Sequence, residues 1–337
     1  MTLKLILAFG IAFFVAALIG SALVPFLRKI KAGQAIREDG PKWHASKAGT
    51  PTMGGIIFIC GVTAACLSAG WSELARGEFG HIFVLIFALI FGAIGFLDDY
   101  EKLRKKQNLG LKAYQKFLLQ LVVAVAFVFL LRRFGYLTPN IYYPFWNVTK
   151  PIPEVLYIVL SAFIIVGCVN AVNLTDGVDG LAAGTSLPVM LCYAAVAFKW
   201  GREYLSLGIF ASGMLGALLG FLIYNYNPAK IFMGDTGSLF LGGAVCALAF
   251  AMDMPLVLIP LGFVFIVETL SDIIQVGYFK LSHGKRVFKM APFHHHLEMG
   301  GWTGKKWKEK ELFFLFTGVS LLCAIISFIG VGGRFSL

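Results

Sequence analysis

Residues 81–102 read HIFVLIFALIFGAIGFLDDYEK, a long apolar run that closes on the acidic pair Asp98-Asp99. A helix rises about 1.5 Å per residue and the hydrocarbon core of a bilayer is about 30 Å thick, so a helix of roughly 20 apolar residues crosses it. The run approaches that length before its polar flanks are counted. It predicts a membrane-spanning helix that carries two carboxylates at one end.

Nine further segments of the chain are apolar over a comparable length. They lie approximately at residues 3–25, 53–70, 115–131, 154–169, 179–198, 205–223, 237–251, 255–279 and 311–331. The composition agrees, because 58% of the 337 residues are hydrophobic and only 14% are charged, whereas soluble proteins average about 25% charged residues. We therefore predict one all-α integral membrane domain, residues 1–337, with about ten transmembrane helices.

The basic residues predict how these helices are oriented. Most Lys and Arg residues fall on alternate connecting segments, at about residues 28–52, 98–114, 170–178, 224–236 and 280–310. Connecting segments with excess positive charge stay in the cytoplasm, so we expect both termini on the periplasmic side. The net charge of +11 follows this membrane pattern and does not predict a nucleic-acid partner.

Asp98 and Asp99 are followed by Lys102. Two carboxylates about 4 Å apart repel by about 4 kcal/mol at an effective dielectric constant of about 20, and the dipole at a helix C-terminus disfavours them further. Mg²⁺ prefers carboxylate oxygens and shares its coordination shell with substrate phosphates. The pair predicts either a metal site or a solvated pair balanced by Lys102.

Two further polar clusters lie between apolar segments. Asn173, Asp176 and Asp179 recur every third residue, so one face of a helical turn would present all three, although a plain turn also favours Asn, Asp and Gly. The second cluster runs from Asn225 to Gly243, and its Asp235 lies just before a Gly-rich apolar helix. That position suits a metal ligand or a helix cap, and the two roles are compatible.

The segment at 255–279 places Glu268, Asp272 and Gln275 on one helix face. Because a bare acid inside a membrane is costly, this face should line a polar cavity or a partner helix, and structural pairing of Glu268 is the alternative. The consecutive histidines 294–296 point in different directions on a helix or strand. We expect them to contact phosphates or transfer protons, and not to bind one metal together.

Residues 42–55 place Lys47, Thr50 and Thr52 among glycines, which suits a phosphate. An ordinary basic segment attracted to anionic lipid would look the same. Acids, lysines, hydroxyls and histidines on one predicted face of a membrane protein are what phosphoryl transfer to a membrane-embedded acceptor requires.

Five motifs, in order along nearly the whole chain, resemble the phospho-N-acetylmuramoyl-pentapeptide transferase family, a branch of the polyprenyl-phosphate N-acetylhexosamine-1-phosphate transferases. They are His44-x-x-Lys47-x-Gly-Thr-Pro-Thr-Met-Gly-Gly55, Asp98-Asp99-x-x-Lys102, Asn173-Leu-Thr-Asp176-Gly-x-Asp179-Gly, Phe232-Met-Gly-Asp235-Thr-Gly-Ser and Ala-Pro-Phe-His294-His295-His296-Leu-Glu. The resemblance implies a ten-helix enzyme of the bacterial inner membrane, commonly a homodimer. Its reaction would use UDP-N-acetylmuramoyl-pentapeptide and undecaprenyl phosphate, and release lipid I and UMP.

The resemblance also implies a role for each matching residue. Asp235 would hold Mg²⁺, alone or with Asp98 and Asp99, and Asp98 would act as the base on the lipid phosphate. Asp99, Lys102 and Lys106 would organise the phosphates, and His294 would join the catalytic group. The substrate-binding residues would be Lys47, Thr52, Lys116, Asn173, Asp176, Asp179, Asn225, Phe232, Gln275, His295 and His296, with Lys116 a weaker match because its spacing varies.

Two other functions stay open at this point. A sibling transferase that carries N-acetylglucosamine phosphate would share the metal and lipid chemistry and differ in its donor. A transporter for an anionic solute would also use acids within a membrane protein, but no inverted repeat is evident and the acids gather at one predicted face. Whether the transfer is one displacement or passes through an aspartyl-phosphate is likewise open.

Overall fold

A computed structural model describes residues 1–30, 47, 49–105, 107, 110–138 and 140–334. Within these ranges the chain is mostly helical. The helices are α1 Thr2–Lys29, α2 Gly55–Ser68, α3 Trp71–Leu74, α4 Gly80–Lys105, α5 Ala113–Arg133, α6 Glu154–Thr175, α7 Leu181–Trp200, α8 Leu205–Asn225, α9 Gly234–Ala251, α10 Leu258–Leu261, α11 Phe263–Leu281, α12 Phe293–Glu298 and α13 Glu309–Val331. The strands are β1 Asn140–Tyr143 and β2 Val148–Pro151.

Every predicted apolar segment forms a helix, but fewer than ten are long enough to span a membrane. Among the described residues, eight helices pass on length and composition: α1, α4, α5, α6, α7, α8 with its preceding turn, α9 and α13. A ninth span is possible if Pro255–Leu261 and Phe263–Leu281, which meet at a bend of 78°, cross together. Helix α2 has 14 residues and rises only about 21 Å. The described part of the chain therefore fits a membrane protein and contains eight or nine such helices.

Helix α9 lies at the centre of the bundle and packs against α2, α4 and α6. Of its residues, 89% are buried, compared with 22% in the most apolar stretch of α1. The exposed side of α1 carries large apolar residues such as Phe14 and Leu18, which suit contact with lipid. The start of α9 is thus held by several helices at once.

Glycines allow the neighbouring backbones to approach the start of α9 closely. A Cβ atom built on Gly95 of α4 would lie 2.0 Å from the carbonyl oxygen of Asp235, and one on Gly55 of α2 would lie 2.2 Å from the Cα atom of Gly237. Any larger residue would push the helices apart. This packing brings the acidic end of α4 against the acidic end of α9.

The helix boundaries differ from the predicted ones at this end. Helix α4 continues to Lys105, so Asp98 and Asp99 lie inside its last turns and not at its C-terminus, and the unfavourable dipole there is weaker than predicted. An ion pair of 2.6 Å between Glu101 and Lys105 belongs to this extension. Helix α6 continues to Thr175, so the predicted connection at 170–178 begins only after it.

A small hairpin corrects the all-α prediction. Strands β1 and β2 are antiparallel, with Asn140 opposite Pro151 and Tyr143 opposite Val148. They lie within the connecting segment 132–153, where aromatic and β-branched residues favour strands. The predicted connection at 28–52 lies mostly outside the described residues, as do His44 and Lys106.

Candidate active site

Three aspartates meet where α4 packs against α9. Asp98, Asp99 and Asp235 each offer a carboxylate oxygen, and these atoms all lie within 4.8 Å of one another. Asp98 and Asp99 are each only 3% exposed. Since buried carboxylates must be paired or bind a cation, this cluster could hold a metal ion.

Two lysines already offset part of this negative charge. Lys102 Nζ lies 2.6 Å from Asp98 Oδ2 and 2.8 Å from Asp235 Oδ2. Lys116 Nζ, from the first turn of α5, lies 3.0 Å from the same oxygen of Asp235. We call these three aspartates and two lysines the acidic centre. Lys102 thus balances Asp98 and also reaches Asp235, but the alternative of a solvated pair is wrong, because Asp98 and Asp99 are buried.

Asp99, and not Asp235, accepts hydrogen bonds from the start of α9. Its Oδ2 accepts from the backbone N of Thr236 at 2.9 Å and from Thr236 Oγ1 at 2.7 Å, and its Oδ1 accepts from the backbone N of Asp235 at 3.2 Å. Asp235 is itself the second residue of the helix. The interpretation of Asp235 as the cap of α9 is therefore wrong, and its carboxylate is available for other groups.

Asn173 contacts the acidic centre and does not share a helix face with Asp176 and Asp179. Its Nδ2 donates to Asp235 Oδ1 at 2.8 Å and to Ser238 Oγ at 2.7 Å. Asp176 follows the last residue of α6, and Asp179 turns toward a different group. Burial, together with the charges of Asp235 and Asp99, raises the pKa of Asp176 well above its usual value.

A second polar group surrounds Lys47, and we call Lys47, Asp179, Asn227 and Glu309 the Lys47 cluster. Lys47 Nζ lies 2.7 Å from Asp179 Oδ1 and 2.7 Å from Glu309 Oε2. Asn227 Nδ2 donates to Asp179 Oδ2 at 3.0 Å and to Glu309 Oε2 at 3.2 Å. Burial alone would lower the pKa of Lys47, but the carboxylates of Glu309 and Asp179 outweigh it and raise that pKa.

The segment that carries Thr52 joins the two groups. The backbone N of Phe232 donates to the carbonyl of Pro51, and the N of Gly54 donates to the carbonyl of Phe232, each at 2.8 Å. A Cβ atom on Gly234 would lie 2.7 Å from both Thr52 Oγ1 and Asp99 Oδ2, so Thr52 borders the acidic centre. The Phe232 ring centroid lies 5.9 Å from Lys47 Nζ.

Two further residues that we predict to bind substrate have intramolecular hydrogen-bond partners. Asn225 is buried, and its Nδ2 donates to the carbonyl of Ile231 at 2.9 Å. Gln275 Oε1 accepts from the backbone N atoms of Val287 and Phe288, and its Nε2 donates to the carbonyl of Phe288. Both side chains hold connecting segments in place.

The three histidines have three different partners, as their adjacency in sequence led us to expect. His294 Nδ1 lies 2.9 Å from Glu268 Oε2, and His295 Nδ1 lies 2.7 Å from Glu298 Oε2. His296 Nδ1 accepts from the backbone N of Lys289 at 3.1 Å. Burial and the charge of Lys289 lower the pKa of His296, which favours a neutral ring at pH 7.

Several residues of the site were missed from the sequence. Thr236 and Ser238 lie in the motif that contains Asp235, but the sequence assigned a role only to the aspartate, because a carboxylate is the stronger metal ligand. Asn227 also lay within a quoted cluster. Glu309 contacts Lys47 across 262 positions of sequence, and no local pattern signals such a pair.

Long apolar helices around an acidic centre with two lysines are the architecture of a polytopic membrane protein with a site suited to a cation or a phosphate group. A family model for glycosyl transferase family 4 matches residues 81–253, which hold Asp98, Asp99 and Asp235. The phospho-N-acetylmuramoyl-pentapeptide-transferase signature 1 matches residues 47–59, which hold Lys47 and Thr52.

Curated relatives named phospho-N-acetylmuramoyl-pentapeptide-transferase cover nearly the whole chain. The relative from Clostridium botulinum is 46% identical over 328 residues, 96% of this chain and 95% of its own. Those from Geobacillus thermodenitrificans and Listeria monocytogenes are 44% identical over 324 residues and 42% identical over 325 residues, and each match covers at least 96% of both chains. The chain belongs to the phospho-N-acetylmuramoyl-pentapeptide-transferase family, and the resemblance predicted from its motifs is confirmed.

Proposed function

We propose that this protein transfers phospho-N-acetylmuramoyl-pentapeptide from UDP-N-acetylmuramoyl-pentapeptide to undecaprenyl phosphate, which yields lipid I and releases UMP during peptidoglycan synthesis. It does so as a multi-pass protein of the bacterial inner membrane. The proposal is supported by relatives that are named for this activity and share 42–46% of their aligned residues with this chain. The observation that carries it within the structure is the acidic centre, in which the buried carboxylates of Asp98 and Asp99 and the partly buried carboxylate of Asp235 meet two lysines beside long apolar helices.

The donor atoms of the acidic centre fit Mg²⁺. Carboxylate oxygens are the ligands this ion prefers, and Asp235, with Asp98 and Asp99, would hold it. All three carboxylates already have partners on both oxygens, so bound Mg²⁺ would replace some of these contacts, such as those of Lys102 and Lys116 with Asp235 Oδ2. Bound Mg²⁺ would neutralise the diphosphate of the donor and stabilise charge on the departing UMP.

The remaining groups of the acidic centre suit the lipid acceptor and the diphosphate. Asp98 Oδ1 accepts from the backbone N of Leu111 at 2.8 Å and Oδ2 pairs with Lys102, which orients the carboxylate to act as the base on the lipid phosphate. Lys102 and Lys116 would contact phosphate oxygens, because a lysine that pairs with a carboxylate can also pair with a phosphate. Lys106 is proposed for the same task from its motif alone.

The Lys47 cluster is proposed to hold the nucleotide sugar. Lys47 supplies a positive charge, the Phe232 ring lies beside it, and Asp179 and Asn227 supply an acceptor and a donor of hydrogen bonds. Thr52 and Asp176 lie between this cluster and the acidic centre. His294, His295 and His296 approach from the segment between α11 and α13 and complete the substrate site.

We further propose that the site faces the cytoplasm, that both termini are periplasmic and that the protein is a homodimer. Labelling single cysteines in a cysteine-free background tests the orientation. An impermeant reagent should label Trp146→Cys on the hairpin in intact cells, whereas Lys306→Cys should react only after lysis. The reverse pattern would overturn the orientation. Crosslinking in membranes tests the dimer, and a single band at the monomer mass would reject it.

The decisive experiment is UMP release by the purified protein with undecaprenyl phosphate, UDP-N-acetylmuramoyl-pentapeptide and Mg²⁺. Parallel reactions replace the donor with UDP-N-acetylglucosamine or omit the lipid. Release that requires the lipid and the muramoyl donor supports the proposal. Release only with the glucosamine donor would assign the chain to the sibling reaction. No release from folded protein would reject the enzyme and leave the transporter.

A further inference from the structure

Glu268 and His294 form a completely buried pair beside the proposed substrate site. Both side chains are 0% exposed. Glu268 comes from α11 and His294 from the first turn of α12, 26 positions later. Glu268 Oε2 lies 2.9 Å from Nδ1 of the ring and 3.4 Å from the backbone N of His294. A single carboxylate oxygen therefore fixes both the ring and the start of α12.

The other ring nitrogen of His294 faces the connection between α6 and α7. A Cβ atom built on Gly177 would lie 2.2 Å from His294 Nε2, so only glycine lets the ring take this position. Gly177 directly follows Asp176 and precedes Asp179 by two residues. Within the described ranges, Nε2 is buried and has no hydrogen-bond partner. Because a buried polar atom is normally paired, this nitrogen is suited to bind a group that arrives with a substrate.

A second side chain of α11 strengthens the case that this helix positions the histidines. Gln275, seven residues after Glu268, accepts from the backbone N atoms of Val287 and Phe288. Helix α11 thus holds the segment before α12 at one point and α12 itself at another. By contrast, the ion pair of His295 with Glu298 joins two residues of α12 itself.

We propose that Glu268 is a positioning residue of this transferase. Its carboxylate accepts the hydrogen on Nδ1 of His294, which leaves Nε2 to accept a hydrogen bond from a hydroxyl or N–H group of the nucleotide sugar at the Asp176–Gly177 connection. The inference rests on the proposed function, because it assigns the donor to that connection. It predicts that Glu268 acts on donor binding only through His294.

The test compares Glu268→Ala, Glu268→Gln, His294→Ala and the double variant Glu268→Ala with His294→Ala. Glutamine keeps the shape, and its amide oxygen can take the place of Oε2. Its NH₂ group then takes the place of Oε1, which has no partner among the described residues. Initial rates of UMP release are measured against donor concentration, and the folded fraction is measured by gel filtration. Glu73→Gln is the control, because Glu73 is also buried and pairs with Lys4 and Arg76 outside the site.

We expect Glu268→Ala to raise the donor KM by about tenfold, the lower end of the loss that follows when a carboxylate partner of a metal-binding histidine is removed. Glu268→Gln should recover most of that loss, and Glu268→Ala should add little in the His294→Ala background, since partners that act as one unit are not additive. Glu73→Gln should leave the donor KM at the wild-type value.

Three outcomes would overturn the role of Glu268. These are an unchanged KM in Glu268→Ala, an equal loss in the wild-type and His294→Ala backgrounds, and a loss of folded protein with normal KM in the remainder. If Glu268→Ala does not fold, Glu268→Gln alone and combined with His294→Ala supplies the same comparison. Absence of UMP release by the wild-type protein would instead reject the proposed function.

Discussion

The acidic centre and the Lys47 cluster are neighbours but are built from different parts of the fold. The acidic centre takes its groups from helices α4, α5 and α9, and glycines lock α4 against α9. The Lys47 cluster takes Lys47, Asp179 and Asn227 from connections between helices, and only Glu309 from the first turn of α13. Rigid helices hold reacting groups within narrow limits, whereas connections adapt to the shape of a substrate. We infer that the acidic centre sets the rate of transfer and the Lys47 cluster sets donor affinity.

Removal of divalent metal should have the largest effect and should separate the two regions. Three carboxylates face two lysines in the acidic centre, so EDTA should abolish UMP release and Mg²⁺ should restore it. Donor binding at the Lys47 cluster should fall much less, which thermal stabilisation by the donor can measure in the same EDTA buffer. Full turnover in EDTA, after passage over a chelating resin, would contradict a metal at the acidic centre.

Asp235→Asn should be the most damaging single substitution. It removes a negative charge that Lys102, Lys116 and the proposed Mg²⁺ all contact, so kcat should fall by on the order of 100-fold or more, with a smaller change in donor KM. Asp253→Asn is the matched control, since Asp253 follows the other end of α9 and binds Arg334. Near-normal kcat in folded Asp235→Asn would place the reaction elsewhere.

Lys47→Met should change mainly the donor KM, whereas Asp235→Asn should change mainly kcat. Methionine keeps an unbranched side chain but removes the charge, so the donor KM should rise by roughly tenfold, the equivalent of about 1.4 kcal/mol, while kcat at saturating donor changes less. Steady-state UMP release measures both constants. A fall in kcat at unchanged KM would show that Lys47 belongs functionally with the acidic centre and would remove the distinction between the two regions.

The sequence predicted the helices better than it predicted the partners of polar residues. Apolar runs define helices because burial in lipid requires them, and all ten segments are helical. Their ends were less clear, since helix formers after Asp99 extend α4 by almost two turns. The meeting of Asp98, Asp99 and Asp235 was expected from motifs. The pairs Lys47 with Glu309 and Glu268 with His294 depend on how distant helices pack, which no local pattern contains.

Glu309→Gln should have the smallest effect, and that effect should depend on pH. Burial lowers the pKa of Lys47, and the charges of Glu309 and Asp179 raise it above its usual value. Glutamine removes one raising charge and leaves the burial, so the pKa of Lys47 should fall. Donor KM should then begin to rise at a lower pH than in the wild-type protein, with little change at pH 7.

The measurement is donor KM from pH 7 to the alkaline limit of stability, in parallel with Glu311→Gln. Glu311 lies in the same turn of α13 and accepts from the backbone N of Lys308, so its variant controls for changes to that helix start. If the rise of donor KM at alkaline pH begins at a lower pH in Glu309→Gln but not in Glu311→Gln, the donor recognises the charge of Lys47. Identical profiles in the two variants would mean that donor affinity does not depend on this charge, and the contrast between the two regions would then rest on the acidic centre alone.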